Sequence, residues 1–299
     1  MGNLAIISDL HVDINQFSEQ EWLILWKVLT DKGITRLHLA GDVANKVDLC
    51  QAVVEFFAKK GIPTTFNFGN HELADVEGEE MMNHFPDSHF LNERYLALNK
   101  QTVLLGMNGW YDYQFSELKE NKQILRMKNL YWYDRFIKRE GSDIEVNARV
   151  LIAMKKLLDQ LEVKKLDVIL TTHFVPKKDF IVYQNAPYER WNNLNAFLGS
   201  ASFGQLLDQY DNIKQVVFGH THRRFEDKLI HGTRYSCRPF GYYYEWQLTR
   251  EFVRENHLID SYHPMKLRTL LRKHDPEFNR YRNEHLYEEF AKAMTTISY

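Results

Sequence analysis

Five short blocks of this chain carry side chains able to hold a metal ion: Asp9-Leu10-His11, Gly41-Asp42, Gly69-Asn70-His71-Glu72, His173, and Gly219-His220-Thr221-His222. Asp, Asn and His supply hard and borderline oxygen and nitrogen donors without a thiolate. That set suits Mn, Fe or Zn at a reactive centre better than a cysteine-rich structural zinc. The seven Asp, Asn and His donors other than His71 exceed what one ion usually takes. Two ions about 3.5 to 4 Å apart, bridged by one carboxylate and one solvent oxygen, would use them all. With Asp9 and Asp42 as the carboxylates, such a cluster stays net positive and attracts anions, although the formal net charge of the chain is -2.

Each block follows a segment that reads as a strand: 4–8 (LAIIS), 34–40 (ITRLHLA), 63–68 (PTTFNF), 166–171 (LDVILT) and 213–218 (IKQVVF). Between the first three lie two helical patterns. SEQEWLILWKVLTDKG opens on a Ser18/Glu21 capping box and stops at Gly33, and DLCQAVVEFFAKKG stops at Gly61. This βαβαβ order predicts parallel strands joined by right-handed crossovers, and in an open α/β sheet the carboxyl ends of the strands converge on one crevice. The glycines before Asp42, Asn70 and His220 are expected to supply tight turns there. Residues 101–108 read as a further strand and 115–163 as a mostly helical insertion. An aromatic, loop-rich segment at 176–205 reads as a cap or substrate wall. FEDKLI, TRYSC and YYYEWQL alternate weakly, as antiparallel strands do, and YYYEW is expected to serve strand packing. The division expected is a catalytic domain over 1–250 and a C-terminal helical extension, 251–299, packed on it.

In their order, these blocks resemble the signature of the calcineurin-like metallophosphoesterases: DxH, GD, GNH(D/E), a lone His and GHxH, here DLH, GD, GNHE, TTHF and GHTH. The resemblance spans roughly residues 4–245, and the ordered set is far more specific than any one block. It implies a four-layer α/β/β/α sandwich with two mixed sheets and a dinuclear centre of Mn, Fe or Zn. Carried over by position, Asp9, His11 and His222 would bind one ion, Asn70, His173 and His220 the other, and Asp42 would bridge. His71 would be catalytic rather than a ligand, and solvent held between the ions would attack phosphorus. Glu72 is expected to stand behind the ligands or to start a helix. His38, His84, His89, His231, His257, His263, His274 and His285 fall outside the blocks and read as ordinary polar residues.

Composition narrows the class of substrate. The pI of about 6.7 and the lack of a polybasic run argue against nucleic acid and membrane surfaces as partners. No stretch reaches membrane length, the amino terminus lacks a signal-peptide pattern, and two widely spaced cysteines, Cys50 and Cys237, form no disulfide framework, so a cytoplasmic protein is expected. The Gly-Asp block continues as GDVANKVD without the Asp-Arg-Gly of protein Ser/Thr phosphatases. Arg238, in SCRPFGY, is the arginine placed best to reach a substrate phosphate. Without a clear clamp for a dianion, the expected activity is that of a phosphodiesterase on a small or nucleotide-type substrate. A phosphomonoesterase on the same centre and a non-catalytic scaffold of the same fold are the alternatives.

Overall fold

The computed structural model describes residues 2–259 and 264–299, so His263 lies outside the described residues. In chain order the elements begin β1 (Asn3–Ile7), α1 (Glu19–Asp31), β2 (Arg36–Ala40), α2 (Val47–Lys59), β3 (Thr64–Asn67), α3 (Asn70–Leu73), α4 (Glu79–Asn83), β4 (Arg94–Ala97) and β5 (Thr102–Met107). They continue with α5 (Asn121–Tyr131), α6 (Asp143–Val163), β6 (Asp167–Thr172), α7 (Ala201–Leu207), β7 (Ile213–Phe218), β8 (Lys228–Ile230), β9 (Thr233–Cys237), α8 (Gln247–Glu255), α9 (Pro264–Lys273), α10 (Asp275–Lys292) and β10 (Thr295–Ser298).

The strands form two mixed sheets, ordered β10-β1-β2-β3 and β4-β5-β6-β7-β9-β8. β1, β2 and β3 run parallel, as do β5, β6, β7 and β9, so the carboxyl ends of both sheets come to one edge of the molecule. Strand alternation explains why two sheets stack. Leu4 and Ile6 of β1 and Ala40 of β2 face Leu104, Ile169 and Val217 of β5, β6 and β7 in a dry layer between the sheets. Their sequence neighbours Ala5, Ile7, Val103, Leu105, Val168, Leu170, Val216 and Phe218 join the larger core under the helices. The architecture is therefore the expected α/β sandwich of two mixed sheets flanked by helices. His38 points into the interior and is satisfied by Thr65 (2.9 Å) and Asn67 (3.0 Å), the ordinary role expected of it.

Two segments fold otherwise than their patterns suggest. YYYEW at 242–246 is a turn, because Gly241 adopts φ +80° and its carbonyl accepts from the Trp246 indole at 2.9 Å, folding the chain back on itself. The last residues are not helical throughout: α8, α9 and α10 are followed by β10, which pairs antiparallel with β1 from Asn3↔Ser298 to Ile6↔Thr295. α10 is tied to α1 by Arg282, which donates to Glu21 at 3.0 Å. The capping box of α1 forms as read, the Ser18 amide donating to Glu21 at 2.7 Å.

Candidate metal centre

All five blocks meet at the shared sheet edge. Asp9 and His11 follow β1, Asp42 follows β2, Asn70 and His71 begin the short α3 after β3, His173 follows β6, and His220 and His222 follow β7. The backbone there is bent into the left-handed region at Asp9 (φ 59°), His11 (42°), Asp42 (53°), His220 (68°) and His222 (49°). Non-glycine residues take such angles rarely, each at a cost of about 1–3 kcal/mol, and they persist where surrounding structure over-determines them. Gly69 and Gly219 serve a purpose other than the tight turn expected. Neither has a positive φ; a Cβ on Gly219 would collide with the Asp9 carboxylate and one on Gly69 with Asp42, so glycine lets these loops close on the carboxylates.

Two groups of donors share Asp42. Asp9, His11, Asp42 and His222 present ligand atoms within 4.8 Å of one another, and so do Asp42, His173 and His220. His11 Nε2 lies 3.0 Å from His222 Nε2, and His173 Nε2 lies 3.1 Å from His220 Nδ1, 3.2 Å from Asn70 Oδ1 and 3.2 Å from Asp42 Oδ2.

The outer nitrogens decide what the inner ones are for. His173 Nδ1 bonds the Ala40 carbonyl (3.1 Å), His220 Nε2 the Phe197 carbonyl (3.1 Å) and His222 Nδ1 the Glu245 carboxylate (2.8 Å). A carbonyl or carboxylate accepts, so each outer nitrogen carries the hydrogen and each inner one has its lone pair directed into the cluster. Lone pairs converging at about 3 Å repel unless a positive charge stands among them. In the protein without ions a proton takes that place. Burial opposes charge on His173, but Asp42 prevails and holds its pKa up at about 9; burial likewise opposes charge on His222, but Glu245 and Asp9 prevail and hold it at about 10. His220 is driven down to about 3 by burial and by its neighbour His173. Burial works against the Asp9 carboxylate, yet the histidines around it, His222 first, bring its pKa down to about 2. The two positions where the fold demands positive charge lie on either side of Asp42. The donor set fits two divalent cations, which would displace the protons.

His71 stands apart from these donors. Its Nδ1 bonds Asn45 Oδ1 at 2.5 Å, its ring stacks on Tyr133 with centroids 4.1 Å apart, and its Nε2 faces the cleft, 3.9 Å from Asp42 Oδ2. Burial holds its pKa below the usual value. Glu72 joins the Gly-Asp and Gly-Asn loops by accepting from the amides of Asp42, Val43, Ala44 and Gly69 at 2.6–3.0 Å. Arg238 is not brought to the cleft. It follows β9, is 39% exposed and donates to Asp227 at 3.2 Å, so its guanidinium is engaged elsewhere.

Sequence reasoning passed over Glu245, Asn45, Asp134 and Tyr242. Asp134, fully buried, accepts from the Asn70 amide at 2.7 Å, and Tyr242 donates its hydroxyl to His71 Nε2 at 3.2 Å. The only hint in the sequence was a carboxylate set in the aromatic run at 242–246.

Comparison with known proteins agrees with this geometry. The model of the calcineurin-like phosphoesterases matches residues 2–224. No curated protein sequence matches the chain. Among solved structures, the chain is similar to a phosphopantetheinyl hydrolase from Mycobacterium tuberculosis, with a TM-score of 0.63 and 18% identity over 85% of this chain and 92% of that one. It is also similar to a dimetal phosphatase from Danio rerio, with a TM-score of 0.48 and 14% identity over 80% of this chain and 87% of that one. With the family model spanning most of its length and every block of donors gathered at one sheet edge, the chain belongs to the calcineurin-like phosphoesterase family, whose members hydrolyse phosphoesters with metal ions.

Proposed function

We propose that the protein is a phosphodiesterase acting on a small, nucleotide-type phosphoester in the cytoplasm. Asp9, His11 and His222 would hold one divalent cation, Asn70, His173 and His220 the other, with Asp42 between them. The observation that carries the diester reading is the lining of the cleft above these residues. This cavity of about 340 Å³ is walled by Tyr131, Trp132, Tyr133, Tyr242, Leu198, Thr221 and Glu245 together with the inner residues, and no lysine or arginine lines it among the described residues. A phosphomonoester dianion calls for a bidentate cationic clamp, whereas a diester carries one charge and two organic arms, for which aromatic walls are suited. Free, buried cysteines accord with a reducing compartment.

Two divalent ions in this site would supply Lewis acidity and lower the pKa of the attacking water. The chain supplies orientation and proton handling. With Nδ1–H committed to Asn45, His71 can exchange a proton only at Nε2, the atom facing the cleft. An imidazolium formed there gives up its proton readily, because burial disfavours its charge, and so can serve a departing alkoxide. General-acid help of this kind contributes roughly a hundredfold to ten-thousandfold.

The test is a metal analysis of the Mn-loaded protein followed by turnover of bis-p-nitrophenyl phosphate, p-nitrophenyl phosphate and cyclic nucleotides, with His71→Ala as control. The reading expects faster diester than monoester hydrolysis, and a loss in kcat of roughly a hundredfold or more in the control with metal content unchanged. Faster monoester hydrolysis would make the protein a phosphomonoesterase. Two bound ions with no turnover of any ester would make it a scaffold.

A further inference from the structure

No lysine or arginine lines the cleft among the described residues, so any further donor to the phosphoryl group beside His71 is a neutral side chain. We propose that Tyr242 is that donor: its phenolic O–H grips a phosphoryl oxygen of the substrate beside His71. The inference rests on the phosphodiesterase reading above and deepens it.

Position comes first. The Tyr242 hydroxyl lies 3.2 Å from His71 Nε2, and both residues line the cleft. With the His71 hydrogen on Nδ1, Nε2 accepts and Tyr242 donates, so the O–H is already aimed at the place where His71 meets a ligand. Two groups at this separation can both reach one oxygen at ordinary hydrogen-bond distance. Tyr133, the other phenol near His71, turns its hydroxyl to Asn45 Oδ1 at 3.4 Å.

Rigidity comes second. Tyr242 follows Gly241, whose amide donates to the Asp9 carbonyl at 2.9 Å and whose carbonyl accepts from Trp246 Nε1 (2.9 Å) and Asn15 Nδ2 (3.0 Å). Asn15 also accepts from the Tyr243 amide at 2.7 Å. The same stretch that carries Asp9 therefore sets the position of Tyr242, whose ring packs edge-on against His222 (centroids 4.3 Å) and at a tilt against His11 (4.6 Å). A donor held in this way needs no reorganisation when charge develops on the phosphoryl oxygens. A phenol ordinarily titrates at about pH 10, so at neutral pH it keeps its proton and acts by donation, without transfer.

The experiment is Tyr242→Phe, which keeps the ring and removes the donor. In the Mn-loaded protein, kcat for bis-p-nitrophenyl phosphate should fall roughly a hundredfold with KM changed by less than about threefold. The affinity for inorganic phosphate, titrated calorimetrically, should weaken about tenfold, while bound metal and melting temperature stay as in the wild type. A fall in kcat of less than about tenfold, or any loss accompanied by loss of an ion, would overturn the proposal. A loaded wild type inactive on every ester would count against the phosphodiesterase reading instead. The phosphate titration needs no turnover and would still decide Tyr242.

Discussion

Asp134 holds the side-chain amide of Asn70: Asn70 Nδ2 donates to Asp134 Oδ1 at 2.7 Å, which leaves Asn70 Oδ1 directed at the His173 and Asp42 side of the cluster. The carboxylate comes from a single turn between α5 and α6, so the helical insertion reaches into the centre that the sheets build. Asp134→Ala should weaken binding of one of the two ions by about 10–100-fold. Competitive chelation, read as occupancy per chain, should show one tight and one weakened ion; two ions held as in the wild type would deny Asp134 this role.

The close approach of Gly219 to Asp9 gives a steric prediction. A methyl group there meets the carboxylate that accepts from the His220 amide at 3.1 Å, and the His220 loop or Asp9 has to yield. Gly219→Ala should lower stability by about 1–3 kcal/mol in urea unfolding and reduce bound metal at saturation. Unchanged values of both would mean that the loop yields freely.

Glu79, first residue of α4, accepts from Arg139, Arg149 and the Glu140 amide, and joins that helix to the segment leading into α6. Burial alone would raise its pKa, but Arg139 prevails and brings it down to about 2 from 4.5. A depressed carboxyl stabilises the fold above its unfolded pKa and loses that contribution as pH falls through the folded one. Glu79→Gln should therefore be less stable than the wild type at neutral pH by about 1–3 kcal/mol. The difference between the two should shrink as pH falls from about 4.5 toward 2, and a gap that does not change with pH would show the carboxylate charge to be unimportant.

Arg238, just past the end of β9, is bound to Asp227. Arg238→Ala should leave KM and kcat for the diester within about twofold. A tenfold rise in KM would restore it to the substrate.

What could be read beforehand follows from the periodicity of the chain. β1, β2, β6 and β7 each place apolar residues in both the layer between the sheets and the core under the helices, β3 is buried throughout, and the first donor after each comes within three residues of the strand end. The local capping box at Ser18 and Glu21 was legible for the same reason. Left-handed backbone at Asp9, His11, Asp42, His220 and His222 was not, since nothing in the side chains demands it; packing of the loops on one another does. Glu245, Asn45, Asp134 and Tyr242 sit in turns between elements, where hydrophobic pattern says nothing about direction. Gly241 turned an apparently alternating YYYEW into the wall of the site. β10 escaped notice because a four-residue strand at an edge has too little length to establish a period.

The pairing of β10 with β1 also bears on how this protein is made. Until Thr295–Ser298 leave the ribosome, the outer edge of the strand leading to Asp9 has backbone amides and carbonyls without their partners. Pairing these two strands closes a loop between positions 3 and 298, with the entropic delay that such distant contacts impose. Until that loop closes, β1 presents an open edge able to pair with another chain.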